Sequence, residues 1–209
     1  MEIGIFGGSF NPVHCGHIGL ADAMVKRGLV DEVWMVLSPQ NPLKHLGSAM
    51  ASDADRMAML RIACEGNPRL HACDVELSMP RPSYTVDTLR LLASCYPQHR
   101  FRLIIGADNL AIFDRWREHE YIWEHFSPIV YPRPGFPRQG CVEMETFDVS
   151  STELRRLLAE GAPVNNLLPP GVENYIVEHG LYGASKKNTS KQNEYIFKFQ
   201  FDSLYRSLQ

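Results

Sequence analysis

Three observations predict a doubly wound α/β fold, a parallel sheet with helices on both faces. Short apolar runs alternate along the chain with segments whose apolar residues recur at helical spacing. The run Phe101-Arg102-Leu103-Ile104-Ile105-Gly106 is largely apolar and ends in glycine, the pattern of an interior parallel strand. A glycine-rich turn, Gly7-Gly8, joins the first apolar run to the first helical segment.

The elements follow in order. EIGIF is the first strand, and HIGLADAMVKRG places Ile18, Ala21, Met24 and Val25 on one helical face. Lys26 and Arg27 suit the last turn of that helix and Gly28 suits its cap. EVWMVLS is the second strand. After the polar loop PQNPLKHLGSAMAS, Ser52 or Asp53 caps the helix ADRMAMLRIACEG. LHACDVEL reads as a third strand and SYTVDTLRLLASCY as a third helix. SPIVYP and the run ending in TFDV supply strands beyond FRLIIG, and STELRRLLAEG and PPGVENYIVEHG are the last two helices. Functional groups in such a sheet gather beyond the carboxyl ends of its strands. That rule selects the stretches after Phe6, Leu37, Ile105 and Val149.

Residues 1–182 form one domain in this reading. The segment 183–209 is a polar, basic linker followed by an aromatic tail with Tyr195, Phe197, Phe199 and Phe201 in alternation. An edge strand, a partner contact and a docked tail are all compatible with that pattern. The 209 residues carry 44% hydrophobic and 22% charged residues, the composition of a globular protein. A net charge of −3 argues against bulk binding to nucleic acid, and no apolar run is long enough to span a bilayer. The start, MEIGIFGG, has neither a basic n-region nor a small-residue cleavage site, so no signal peptide is expected. Five scattered cysteines without a C-x-x-C pair point to a reducing, cytoplasmic setting. Cys15 lies inside the glycine-rich stretch, where a small filler is the plainer reading than a reactive thiol. A homo-oligomer is compatible with the sequence and not required by it.

The stretch Gly4 to Ala21, GIFGGSFNPVHCGHIGLA, carries the chemistry. It lacks the lysine of a Walker A loop and the G-x-G-x-x-G spacing of a dinucleotide fingerprint. What remains is a strand, a glycine turn and two histidines at the start of a helix. Gly7 and Gly8 let a ligand approach the backbone, and Pro12 stiffens the loop. The helix beginning near Cys15 aims free N–H groups at the loop, which favours anions. His14 and His17 add imidazole donors, with charge-assisted contacts to a phosphate as the expectation. Metal ligation by the H-x-x-H pair is the weaker alternative, because no cysteine or carboxylate stands at ligand spacing. No metal ligand is therefore assigned.

The run Gly8-Ser9-Phe10-Asn11-Pro12-Val13-His14-Cys15-Gly16-His17 resembles the G-x-F-x-P-x-H-x-G-H motif of the HxGH nucleotidyltransferases. Ser150-Ser151-Thr152-Glu153-Leu154-Arg155 resembles their second element, S-[ST]-T-x-x-R, at a strand-to-helix junction that is a further anion-binding terminus. Three other stretches resemble bacterial nicotinate-mononucleotide adenylyltransferases. They are Pro82-Ser83-Tyr84-Thr85-Val86-Asp87-Thr88-Leu89, the run Leu103 to Leu110 with Phe113 and Trp116, and Val172-x-x-Tyr175-Ile176-x-x-His179-x-Leu181-Tyr182. The resemblance covers about residues 1–182. One departure is Asn41-Pro42-Leu43-Lys44, where the family often has P-P-H-K.

The resemblance implies a Rossmann-like nucleotidyltransferase fold and transfer of AMP from ATP to nicotinate mononucleotide, giving deamido-NAD and pyrophosphate. Mg²⁺ would accompany ATP, and the partners would be these two nucleotides. It implies His14, His17 and Arg155 as catalytic phosphate clamps. Gly7, Gly8, Ser9, Phe10, Gly106, Asp108, Ser151 and Thr152 would line the ATP site with them. Lys44, Tyr84, Thr85, Asp108 and Trp116 would serve the mononucleotide. For Asp108 a helix N-cap is the competing reading, and for Trp116 a plain core position. The alternatives in function are a related nucleotidyltransferase with another acceptor and a non-catalytic nucleotide-binding scaffold.

Overall fold

A computed structural model describes residues 1–39, 50–144, 149–164 and 166–184. Five strands, β1 (Glu2–Gly8), β2 (Glu32–Leu37), β3 (Leu70–Cys73), β4 (Arg100–Gly106) and β5 (Ile129–Tyr131), form one sheet in the order β3-β2-β1-β4-β5. Every neighbouring pair is parallel. The chain winds outward from β1 through β2 to β3, then returns to β1's other side for β4. The switch in winding direction therefore lies between β1 and β4, where a crevice opens at the carboxyl ends.

The strands alternate in the faces they serve, as the two-residue period of a pleated strand requires. Phe6, Val33, Met35, Leu37 and Ile104 pack on one face with α1 (Cys15–Lys26), α2 (Asp53–Cys64), α6 (Ser151–Glu160) and α7 (Val172–Glu178). Ile3, Ile5, Val36, Leu103 and Ile105 pack on the other with α3 (Thr85–Cys95) and α5 (His119–Phe126). A short helix, α4 (Ala107–Leu110), follows β4 directly. Gly4 makes room on the first face for the neighbouring strand: a Cβ there would stand 2.6 Å from Ile104 Cδ1.

Most expected elements appear within a residue or two. Ser52, rather than Asp53, caps α2, accepting the Asp55 N–H at 3.0 Å. Gly28, with φ +67°, follows the C-terminus of α1. Two expectations change. The strand LHACDVEL stops at Cys73, and Val75–Ser78 is a 3₁₀ turn. The turn sends Glu76 inward, where its carboxylate accepts the hydroxyls of Ser83 (2.7 Å) and Thr88 (2.9 Å). Helix α5 has no counterpart in the sequence reading. It starts after Glu118, a left-handed residue with no side-chain cap bond, so the usual start signals are missing. Residues 145–148 of the run ending in TFDV and the segment from Ser185 onward lie outside the described residues, and Val149 is not in a strand. Among the described residues no helix is long and apolar enough to cross a membrane.

Candidate active site

Beyond β1, residues Gly8 to His14 form a loop that leads into α1. Phe10 turns the chain with φ +42° and is fully buried, its ring against Phe6 (5.8 Å between centroids). Gly8 is required by that packing, since a Cβ would sit 2.9 Å from Phe10 Cζ. Gly7 is exposed, and a Cβ there would meet only Ser38 Oγ at 4.0 Å. Its bareness leaves the end of β1 open to a ligand.

The two histidines stand at the mouth of α1, stacked with ring centroids 3.6 Å apart. His14 is the N-cap, and its backbone N–H donates to His17 Nδ1 at 3.2 Å. An Nδ1 that accepts must be unprotonated, so in neutral His17 the proton sits on Nε2, which becomes the donor. Phe10 holds the His17 ring edge-on at 5.0 Å. No acidic residue stands in the first turn of α1, so the positive end of that helix is not neutralised locally.

His14 differs from the sequence expectation. It is buried, and burial, aided by the positive charge of Arg133, pushes its pKa down to about 4. At neutral pH it is an uncharged imidazole, a dipolar contact rather than a charge-assisted one. Its Nδ1 is buried with no hydrogen-bond partner among the described residues.

The second motif docks onto the first. Ser151 Oγ donates to Pro12 O at 3.0 Å, and Arg155 Nη1 donates to Asn11 O at 2.8 Å. Arg155 Nη2 lies 3.4 Å from Thr152 Oγ1. Arg155 and Ser151 are thus braces of the histidine loop in this structure, while Thr152 is exposed beside it. Asn11, which the sequence reading left without a role, is a hub. Its Oδ1 accepts the Tyr182 hydroxyl at 2.7 Å and the Ala51 N–H at 3.1 Å. Tyr182 and Tyr175, from the C-terminal block, bind Asn11 and Asp55 respectively.

Across the switch point, β4 ends at Gly106, and Asp108 follows. Glycine leaves room here for the Asp108 carboxylate: a Cβ would displace Asp108 Oδ1 and stand 3.0 Å from Arg133 Cγ. Asp108 is not the N-cap of α4; that position is Gly106. The Asp108 carboxylate instead faces Arg133 Nε at 3.4 Å. Arg133 also lies over Tyr131 (5.7 Å), and Tyr131 packs edge-on against Phe6 at 6.0 Å. Phe6 in turn lies 6.1 Å from His17, which joins the ends of β1, β4 and β5 into one wall. Arg133 was missed in the sequence because it sits in a proline-rich loop far from either motif.

The residues expected to serve the acceptor lie on the α3 and α5 face. Tyr84 is the N-cap of α3 and Thr85 its first residue, both half-buried. The Arg117 guanidinium covers the Tyr84 ring at 5.1 Å. Trp116 packs on Phe113 at 5.3 Å and belongs to the fringe of that core, with a buried indole N–H that has no partner among the described residues. Lys44 lies outside the described residues. Among the described residues no group of three or more His, Cys, Asp or Glu side chains is arranged to hold a metal ion.

A cytidylyltransferase-like family model matches residues 5–157, which include both histidines and Arg155. A protein of Cytophaga hutchinsonii described as "Probable nicotinate-nucleotide adenylyltransferase" is 42% identical over 190 residues, 87% of this chain and 98% of that one. Its namesake in Bacteroides thetaiotaomicron is 44% identical over 187 residues, covering 86% and 92%. Among solved structures, Plasmodium falciparum nicotinic acid mononucleotide adenylyltransferase complexed with NaAD superposes with a TM-score of 0.69 at 20% identity, covering 87% of this chain and 97% of that chain. That likeness concerns the fold. The identities to the curated relatives, sustained over most of both chains, establish that the chain belongs to the nicotinate-nucleotide adenylyltransferase family, within the cytidylyltransferase-like group.

Proposed function

We propose that the protein transfers the adenylyl group of ATP to nicotinate mononucleotide, giving deamido-NAD and pyrophosphate. The observation that carries this reading is the mouth of α1: a helix end with no acid in its first turn beside His14 and His17, braced by Arg155 at the carboxyl end of β1. The attacking group is the mononucleotide's 5′-phosphate, already ionised at neutral pH, so the reaction needs no general base. An oxygen of that phosphate attacks the α-phosphorus in line, and the bond to the β,γ-diphosphate breaks. Catalysis then consists of holding two anions together and stabilising the charge that grows on the departing pyrophosphate.

In this reading His17 donates from Nε2 to the triphosphate, and neutral His14 contributes a dipolar contact. Thr152 and the uncommitted donors of Arg155 face the outer phosphates. Gly7, Gly8, Ser9, Phe10, Gly106 and Ser151 shape the ATP cradle, and Asp108 stands between the two nucleotides. Tyr84, Thr85 and Trp116, with Lys44, would receive the mononucleotide. Mg²⁺ enters as the ATP complex, held by phosphate oxygens and water.

A pyrophosphate-release assay with MgATP and nicotinate mononucleotide tests the proposal, with product identified as deamido-NAD. Turnover with phosphopantetheine instead, or with no acceptor, would overturn it.

A further inference from the structure

Arg56 is a wholly buried arginine in α2, and neither motif contains it. Its guanidinium is spent on backbone. Nη1 donates to Ser9 O at 2.6 Å and Ser38 O at 3.0 Å, and Nη2 to Pro39 O at 3.4 Å. Nη2 also bonds Asp53 Oδ1 at 2.5 Å, while the other oxygen of Asp53 takes Arg81 Nη2 at 2.6 Å. All three carbonyls belong to the loops at the carboxyl ends of β1 and β2. Burial alone would push the Asp53 carboxyl up, yet the hydrogen bonds and charges of Arg56 and Arg81 hold it below its usual range.

A buried ion pair is a poor way to gain stability, because apolar residues of the same volume do as well or better. What an arginine gives that they cannot is direction: a planar fork fixes the peptide planes it bonds. The direction matters at Ser9. Its carbonyl points at Arg56, and in a planar trans peptide the Phe10 N–H must then point the opposite way. A carbonyl released from Arg56 would be free to turn toward a bound phosphate and repel it.

We propose that Arg56 is a positioning residue for adenylyl transfer. It sets the Ser9–Phe10 peptide that leads to His14 and His17, and the shared Asp53 carboxylate links that setting, through Arg81, to the Arg81–Thr85 segment opening α3. The inference rests on the proposed reaction, but its first consequence is on ATP binding alone.

The test uses Arg56→Met, Arg56→Lys, Arg81→Gln and, as a control, Arg61→Gln, whose ion pair with Asp74 is exposed on both sides. ATP affinity is read by calorimetry without acceptor, and kcat and both KM values by pyrophosphate release. Arg56→Met is expected to weaken ATP about tenfold and to lower kcat about 100-fold, the scale of a loop displaced by an ångström. Arg56→Lys, keeping the charge and one or two of the carbonyl bonds, should recover about tenfold of that kcat. Arg81→Gln should raise the mononucleotide KM several-fold at unchanged ATP affinity, and the control should change nothing. If Arg56→Met is folded by circular dichroism and keeps wild-type ATP affinity and kcat, the positioning role is wrong. An unchanged mononucleotide KM in Arg81→Gln overturns the link to α3. Should Arg56→Met not fold, Arg56→Lys decides the matter: wild-type ATP affinity and kcat there overturn the role. Failure of wild-type protein to turn over the mononucleotide would refute the reaction, while the ATP affinities would still decide the role of Arg56.

Discussion

Two helices begin beside the histidine loop and differ in the charge at their N-termini. At α1 the cap is a histidine and the first turn has no acid; the His14 N–H goes to His17 Nδ1 at 3.2 Å and the Cys15 N–H to Leu167 O at 2.9 Å. At α6, Ser150 caps the Glu153 N–H at 3.2 Å, and the Glu153 carboxylate stands in the first turn, paired with Arg156 at 2.6 Å. The second terminus therefore takes both its cap and a negative charge from its own residues. The sequence expects an anion-binding terminus at each helix, and the two differ in local charge. In the proposed reaction α1 offers its field to the ligand, whereas α6 offers the side chains of Thr152 and Arg155 besides its observed support for the loop.

The sharpest break would come from His17. His17→Ala removes the Nε2 donor and leaves the helix end in place, so kcat should fall by at least about 100-fold, the usual loss for one transition-state donor. Circular dichroism should be unchanged. Near-normal turnover in the pyrophosphate assay would mean that α1 is no more committed to the reaction than α6.

His14 gives the next largest effect, on stability. Its folded pKa of about 4 lies below the ordinary 6.5, so as pH falls the unfolded chain takes up the proton first. The stability due to burying neutral imidazole is fully present above about pH 6.5 and is lost progressively toward pH 4. Between pH 7.5 and 5 the loss should approach about 2 kcal/mol. Urea unfolding of wild type and His14→Asn at several pH values isolates it: the wild-type advantage should shrink with acidity. A constant difference would show that His14 is not buried neutral, and the contrast between the helix mouths would lose its electrostatic half.

Arg155→Ala should matter less than His17→Ala, about tenfold in kcat, because some of its donors are committed to Asn11 and Thr152 rather than open to ligand. Its melting temperature should drop as the loop loses a brace. A kcat loss equal to that of His17→Ala would place α6 on the same footing as α1.

The histidine pair was legible because its spacing is local, and Arg155 because the stretch Ser150–Arg155 resembles a family motif. The strands were legible because a parallel sheet covered on both faces writes itself as apolar runs. Arg56 was not: in DADRMAMLRIAC an arginine reads as part of the polar face, and its acceptors are backbone carbonyls 17, 18 and 47 residues away. Arg133 and Asn11 escaped for the same reason, since their partners come from other elements. The neutral state of His14 was invisible because it arises from burial, which no spacing encodes.

The smallest effect tests the contrast most directly. Ser150→Ala removes the oxygen that satisfies the Glu153 N–H, at a cost of about 1 kcal/mol for a lost N-cap. If α6 is closed to the ligand by its own cap and carboxylate, that change destabilises the fold and leaves the ATP KM within about twofold of wild type. Freed of its cap, the terminus still faces Glu153, whose charge opposes an incoming phosphate as effectively as before. Equilibrium unfolding together with the ATP KM separates the two outcomes. A variant of normal stability whose ATP KM shifts about tenfold would mean that Ser150 had been serving the nucleotide rather than the helix, and α6 would then be a second anion site in its own right.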